Sequence, residues 1–144
     1  MKKILIILPI LFILTTARYT WLKFHTPAAS ISAKKPEYKI SATNLFNEFQ
    51  LVEMTANSKY INRVLEVTGK VKEVNSDWEG KFSVVIDAGN PTYAVICHLA
   101  KSEITHAKKI QKDDEISLHG TCKGMTTDVI MEDCTIDKKT DFVF

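Results

Sequence analysis

A chain of 144 residues has the length of a single domain. Its composition, 45% hydrophobic and 25% charged residues, excludes a disordered or low-complexity protein. The formal net charge is +2, but four of the cations precede residue 28, where there is no acid. The rest of the chain has 15 of the 19 Lys and Arg against all 17 Asp and Glu. This net of −2 argues against a high-affinity nucleic-acid binder, whose affinity comes mainly from neutralising phosphates.

The N-terminal segment has the features of an export signal or a membrane anchor. Two lysines are followed by eleven uninterrupted apolar residues, Ile4 to Leu14. A cleaved signal would end at the small residues 15–17, whereas an uncleaved anchor would run to the interfacial aromatics Tyr19 and Trp21. Both interpretations of residues 1–25 stay open, since about 20 residues are needed to span the hydrocarbon. Either one predicts membrane contact through this segment and a domain outside the cytoplasm, in the periplasm or cell envelope.

The next two segments are interpreted as a linker and a helix. Residues 26–40 include TPAASISAKKP, which is small, polar and contains two prolines, as linkers often do. An amphipathic helix is predicted over 41–56, with Ser41, Thr43 and Asn44 as candidate N-caps. Helical spacing places these side chains on its apolar face: Leu45, Phe46, Phe49, Val52 and Met54.

After the helix the apolar period changes to two, which predicts five strands. In VLEVTGKVKEV (64–74) the inward positions are Leu65, Val67, Gly69 and Val71, and the pattern then slips by one near Lys72, as at a bulge. The other strands are FSVVIDA (82–88), TYAVICHL (92–99), EISLHGTC (115–122) and DVIMEDCTI (128–136). A short helix is predicted over 100–110 and a turn at KGMTT (123–127).

Five short strands, with a bend in the first and a helix between the third and fourth, describe an OB-fold β-barrel. The fold class is therefore mainly β (α+β), with the barrel and its N-terminal helix over residues 41–138 and a C-terminal tail over 139–144. An open β-meander packed on the N-terminal helix is the alternative.

Several of these segments also resemble a known family. LEVTGKV (65–71), the VICHL strand and GTCKGMTTDVIMEDC (120–134), in this order and spacing, are similar to the tRNA_anti-like family of small exported bacterial OB-fold domains. The resemblance covers roughly residues 41–136 and implies the barrel fold. The nucleic-acid association in the family's name rests on fold analogy, which is a weak basis for function.

The three cysteines fit no metal site. Structural zinc takes ligands in closely spaced pairs, whereas Cys122 and Cys134 have eleven residues between them. A turn at KGMTT would also place them about 20 Å apart along a strand, too far for a disulfide. Cys97 and Cys134 lie on strands that are neighbours in an OB barrel, so this pair is a candidate disulfide. The simplest expectation is that all three fill the barrel interior.

No catalytic or cofactor motif is recognised. Ser-His-Asp arrangements, phosphate loops and paired carboxylates are missing from the pattern, so we expect a non-enzymatic module without a cofactor. OB barrels bind ligands on strands two and three and in the adjoining loops. The candidate residues there are Lys70, Lys72, Trp78, Lys81 and His98, joined by Tyr93 if the start of its strand frays outward.

These residues predict binding of an unidentified ligand or an envelope protein. An exposed aromatic ring among lysines is the minimal set for stacking a base or a sugar, so nucleic acid and oligosaccharide are alternative ligands. Net acidity counts against nucleic acid. A second alternative is a redox-active or hydrolytic envelope protein that uses Cys97 or Cys134.

Overall fold

The computed structural model describes residues 35–139, which form a closed five-stranded barrel with one additional strand. The strands are β1 (Tyr38–Ser41), β2 (Val64–Ser76), β3 (Phe82–Asp87), β4 (Ala94–Leu99), β5 (Glu115–Met125) and β6 (Val129–Lys139). The helices are α1 (Ala42–Leu51), α2 (Glu53–Tyr60) and α3 (Ile104–Ala107), the last preceded by a 3₁₀ turn at Lys101–Glu103. The predictions for residues 1–25, for most of the linker and for most of the tail lie outside the described residues.

The barrel closes because β2 pairs with two strands in succession. Its first half, Val64 to Lys70, is antiparallel to β5, and its second half, from Val71 on, is antiparallel to β3. The remaining order is β3-β4-β6-β5, with β4 and β6 parallel. The register of β2 against β3 shifts between Val71 and Glu73, which confirms the bulge predicted near Lys72. The predicted OB-fold barrel is thereby confirmed and the open meander is excluded.

The interior is filled by the alternate residues that the period-two pattern assigned to it. In β2 the side chains of Leu65, Val67 and Val71 are buried, as predicted, and so are those of Val84 and Ile86 in β3. All three cysteines also belong to this core.

The region before β2 differs from the sequence prediction in two ways. Residues 38–40, interpreted as part of a linker, belong to β1, which pairs in parallel with the start of β2. The single helix predicted over 41–56 is two helices, because Val52 has φ −144° and ψ 65° and turns the chain between them. Leu45, Phe46 and Phe49 are buried as predicted, but Val52 and Met54 are exposed. Ser41 is the N-cap of α1 and accepts a hydrogen bond from the amide of Asn44 at 3.2 Å.

The two ends of the barrel are different. At the helix-capped end, where β3 ends at Asp87 and β4 and β6 begin, α1 contacts β2, β3 and β4 while α2 contacts β5. At the hairpin end, β2 ends at Ser76, β3 begins at Phe82 and β4 ends at Leu99. Within residues 35–139 no helix is both long and apolar enough to cross a bilayer.

The β5–β6 turn is shorter than the predicted KGMTT turn. β5 continues to Met125, so that Cys122 pairs with Met131 and not with Asp128. The difference comes from the position of the turn, since Met125 pairs with Val129 and the register is counted from there; the one register shift between Gly124 and Cys122 changes the pairing of Cys122 by a single residue. The sulfurs of Cys122 and Cys134 therefore lie closer along the strands than the sequence predicted.

Candidate ligand-binding site

The structure divides the six candidate ligand residues into two groups at opposite ends of the β2–β3–β4 surface. Lys81 and His98 lie at the hairpin end, and Trp78 is in the loop beside them. Lys70, Lys72 and Tyr93 lie toward the helix-capped end, because Val71 pairs with the end of β3. One small ligand cannot contact both groups, since β3 between them is about 17 Å long at 3.3 Å per residue.

A hollow of about 560 Å³ at the hairpin end brings Lys81 and His98 together. It lies across the ends of β2 and β4, the start of β3 and the middle of β6; we call it the hairpin hollow. Its lining residues are Asn75, Ser76, Asp77, Lys81, Phe82, Ser83, His98, Leu99, Ala100, Lys101, Glu132 and Asp133. Its volume is in the range of pockets that hold a small ligand or one or two residues of an oligomer.

Trp78 lies in the closed loop between β2 and β3, directly after Asp77 of the hollow's lining. The amide of Asp77 donates to the carbonyl of Lys81 at 3.0 Å, and the Asp77 carboxylate accepts from the amide of Lys81 at 2.8 Å. Gly80, with φ +76°, allows the chain to turn back within the loop. The indole itself is 92% exposed. A loop that is closed by hydrogen bonds and presents an exposed aromatic ring provides a surface on which a ligand can stack.

A bulge in β6 supplies two acids to the same hollow. Cys97 pairs with Met131 and Leu99 with Cys134, so one residue of β4, His98, lies opposite two of β6, Glu132 and Asp133. Asp133 has φ +54°, and both acids are exposed beside His98. Bulges of this kind redirect side chains and are common next to functional sites. The sequence contained the signal, because its apolar positions are two residues apart from Val129 to Met131 and three apart from Met131 to Cys134.

The charge of the hollow is mixed. Lys81 lies 2.5 Å from the carboxylate of Glu79, and this hydrogen bond raises the pKa of Lys81 above its usual value. Lys101 and Lys81 are the ammonium groups of the lining, and Asp77, Glu132 and Asp133 are its carboxylates. Such a lining offers both donors and acceptors, as hydroxyl-rich ligands need.

The other three candidates are engaged within the protein. The Lys70 ammonium lies 3.3 Å from Asp113, and that of Lys72 donates to the carbonyl of Pro91 at 2.8 Å. Tyr93 precedes β4 and stacks on Phe46 of α1, with ring centroids 5.4 Å apart and an interplanar angle of 24°. Tyr93 therefore packs against the helix that caps the barrel.

The three thiols are free and buried in the barrel interior. A hydrogen bond with the Cys97 thiol, together with burial, raises the pKa of Cys134 well above its ordinary value. Burial also raises the pKa of Cys122. Neutral thiols are poor nucleophiles, because the thiolate is the reactive form. In residues 35–139, no group of three His, Cys, Asp or Glu side chains is arranged to hold a metal ion.

A polar network that the sequence pattern did not suggest lies on the outer face of β5 and β6. His119 contacts Asp137 through Nδ1 at 2.6 Å and Thr135 through Nε2 at 2.9 Å. Both ring nitrogens therefore have a hydrogen-bond partner, and which of them donates depends on the tautomer. The order of groups resembles a hydrolytic triad, but Thr135 is only 4% exposed. A hydroxyl in that position fixes the imidazole and is out of reach of a substrate.

The closed barrel, the parallel β4–β6 pair and the short helix between β4 and β5 define an OB-fold domain. The family model of tRNA_anti-like proteins matches residues 1–136, and the chain belongs to that family. The resemblance noted in the sequence is thereby confirmed. No curated protein matches the sequence.

Solved structures with similar folds have low sequence identity to this chain. One is a lipoprotein of Klebsiella pneumoniae, proposed to bind nucleic acid, with a TM-score of 0.57 and 16% identity over 78% of this chain and 100% of that one. Another is the Stn1–Ten1 complex of S. pombe, with a TM-score of 0.44 and 12% identity over 54% and 59% of the two chains. A third is the aspartyl-tRNA synthetase of Entamoeba histolytica, at 0.44 and 10% over 78% and 27%. At these identities the first likeness shows the shared fold alone.

Proposed function

We propose that this chain is a non-enzymatic binding module of the bacterial cell envelope, which holds part of an extended oligomeric ligand in the hairpin hollow. The observation that carries the proposal is the exposed indole of Trp78, which directly follows Asp77 in the loop beside a hollow that contains Lys81 and His98. Stacking on the ring would fix one unit of the ligand, while the hollow would hold its neighbour through polar contacts.

Three features support a binding role over catalysis. The thiols are buried, the Thr135 hydroxyl is inaccessible, and the hollow contains no nucleophile hydrogen-bonded to a base among the contacts described for its residues. The location outside the cytoplasm rests on the basic and apolar N-terminal sequence. The Klebsiella protein of similar fold, a lipoprotein, is consistent with that location.

Single-stranded nucleic acid is the first ligand to test, because the family name and the Klebsiella neighbour both point to it. An oligosaccharide is the second candidate, and a specific observation favours it. Asp77, Glu132 and Asp133 in the hollow would repel phosphates but accept hydrogen bonds from sugar hydroxyls. The two ligands differ in salt dependence, since phosphate binding weakens steeply as salt rises.

The experiment is a fluorescence-anisotropy titration of the full chain in detergent with labelled oligothymidylate and, separately, labelled cell-wall oligosaccharides. Trp78→Ala is expected to weaken binding by about tenfold, which is typical for loss of one stacking partner. Lys81→Ala and His98→Ala should weaken it as well. Lys70→Ala, at the other end of the same surface, is the matched control and should bind normally.

The salt dependence then separates the ligands. A steep loss of affinity with salt for the oligonucleotide identifies nucleic acid, and salt-independent binding of the sugar identifies the second candidate. If neither ligand binds, or if Lys70→Ala weakens binding as much as Trp78→Ala does, the hairpin hollow is not the binding site.

A further inference from the structure

Three exposed apolar side chains stand out where α1 turns into α2. Leu51, Val52 and Met54 are exposed to 80%, 54% and 86%; we call them the apolar corner. The corner is tied to the helices by backbone hydrogen bonds, from the amide of Val52 to Glu48 at 3.1 Å and from the amide of Ala56 to Val52 at 3.0 Å. These hydrogen bonds define the turn at Val52, which leaves the three side chains exposed.

The apolar corner faces away from the barrel. Phe49 and Ala56, on either side of it, are buried in the core, so the turn between them must point outward from the helix-capped end. Trp78, the other strongly exposed large apolar side chain in residues 35–139, lies at the hairpin end. The corner and the ligand surface thus occupy opposite ends of the domain.

The chain also enters the domain at the helix-capped end. The amide of Glu37 donates to the carbonyl of Val64, the first residue of β2, at 2.8 Å. Tyr38, the next residue, lines one hollow with Leu51 of the apolar corner, and Lys39 and Lys59 line the same hollow. The sequence that leads into this point contains the apolar run Ile4 to Leu14.

We propose that the apolar corner is a membrane-docking surface, which inserts into the boundary between the headgroups and acyl chains of the bilayer reached by the N-terminal segment. An insertion depth of about 5–10 Å is typical of such contacts. Lys39 and Lys59, which pair with Glu66 at 2.7 Å and Glu48 at 3.0 Å, would then lie at the level of the headgroups, and Glu53, which is exposed within the corner, would stay in the aqueous layer. This inference rests on the envelope location proposed above.

The size of the corner favours a lipid surface over a protein partner. A stable protein interface buries roughly 800 Å² on each partner, whereas three side chains offer on the order of 400 Å². For a domain that is already tethered, a small patch is sufficient, because the tether raises its effective concentration at the membrane. Docking would hold the helix-capped end against the bilayer, so that the Trp78 loop at the opposite end would face away from it.

The test uses the full chain in vesicles of phosphatidylcholine and phosphatidylglycerol. Met54→Cys is labelled with an environment-sensitive fluorophore, and Glu79→Cys in the hairpin loop is the matched control. The native cysteines are buried and stay unlabelled in the folded protein. Lipids brominated near the headgroup are expected to quench the label at position 54 at least about threefold more than the label at 79.

A further variant checks that the neighbouring side chains carry the insertion. Leu51→Ser combined with Val52→Ser in the Met54→Cys background should reduce the quenching to the level at 79, with an unchanged circular-dichroism spectrum. Equal quenching at positions 54 and 79, in protein that has partitioned into vesicles, overturns the docking surface and leaves the envelope location standing. Protein that does not partition at all overturns both. Shielding of the label at 54 without vesicles, rising with protein concentration, identifies a second copy as the occupant and also overturns the proposal.

Discussion

A Cβ atom added to Gly69 would lie 2.5 Å from Cγ2 of Ile86, with the Cβ of Ala42 at 3.2 Å. The start of α1 and the end of β3 therefore pack directly on the backbone of β2 at the point where the strand changes partners from β5 to β3. Glycine is needed at this position for close approach, in addition to the bend inferred from the sequence.

Gly69→Val is expected to destabilise the domain by about 1–3 kcal/mol, the usual range for overpacking a filled core. The measurement is urea unfolding followed by circular dichroism. Thr68→Val, an exposed neighbour on the same strand, is the control and should stay within about 0.5 kcal/mol of the parent. A double-mutant cycle with Ile86→Ala should show that Gly69→Ala costs less once the opposing side chain is removed. Equal costs in both backgrounds would show that the contact with Ile86 is unimportant.

Thr135→Val preserves the shape of the side chain but removes the hydroxyl that is hydrogen-bonded to Nε2 of His119. The ring nitrogen would then be buried without a partner, so we expect a loss of about 1–3 kcal/mol in the free energy of unfolding. Thr68→Val again provides the control. Unchanged stability would mean that water replaces the hydroxyl and that the network does not hold β5 to β6.

Glu66 makes stability depend on acid pH. Its hydrogen bond with Lys39, at 2.7 Å, holds the pKa of Glu66 below the usual 4.5, and the Ser117 hydroxyl acts in the same direction. The unfolded chain therefore takes up this proton at a higher pH than the folded chain does. The stabilisation is complete above pH 4.5 and is lost as the pH falls through the folded-state pKa.

Glu66→Gln should accordingly be less stable than the parent at neutral pH, and the difference should vanish at low pH. Urea midpoints measured from neutral pH to below 4.5 would test this. Glu73→Gln, exposed on the same strand, serves as the control. A difference that persists at the lowest pH would mean that the substitution acts through packing and not through the charge.

The three thiols should be inert in the folded protein. Cys97, Cys122 and Cys134 have no exposed surface, and the pKa values of Cys122 and Cys134 are raised. We expect an aromatic disulfide reagent to modify none of them under native conditions and all three in denaturant. Rapid modification of one thiol in the folded state would revive the redox alternative. A constant shortfall of two thiols in denaturant would instead reveal the Cys97–Cys134 disulfide.

The barrel could be predicted from sequence because each strand has a clear apolar period and the bulge near Lys72 leaves a visible slip. Two features of the fold, the strand β1 and the turn at Val52, could not be predicted from the sequence. β1 is only four residues long and its stability comes from pairing with β2, which no local pattern records. The turn at Val52 replaces a continuous helix because Phe49 and Tyr60 must both reach the core across a curved barrel end, a requirement of tertiary packing.

The binding site could be predicted only in part. Lys81 and His98 meet because β3 and β4 form a simple hairpin, with Ser83 opposite His98. Lys70 and Lys72 lie far from them, which was not predicted because strand assignment alone does not give the register of β2 against β3. The contacts of His119 depend on the β5–β6 register, which contains three shifts and cannot be counted outward from the turn.

The position of β6 has a consequence for how the protein is made. The last strand in the sequence lies between β4 and β5. Until β6 has been added, β4 and β5 each have an unpaired hydrogen-bonding edge and the barrel interior remains open to water, even if the preceding strands have paired. Folding must therefore wait until the C-terminal residues have been synthesised. A chain that ended before β6 would be an aggregation-prone fragment with two unpaired strand edges.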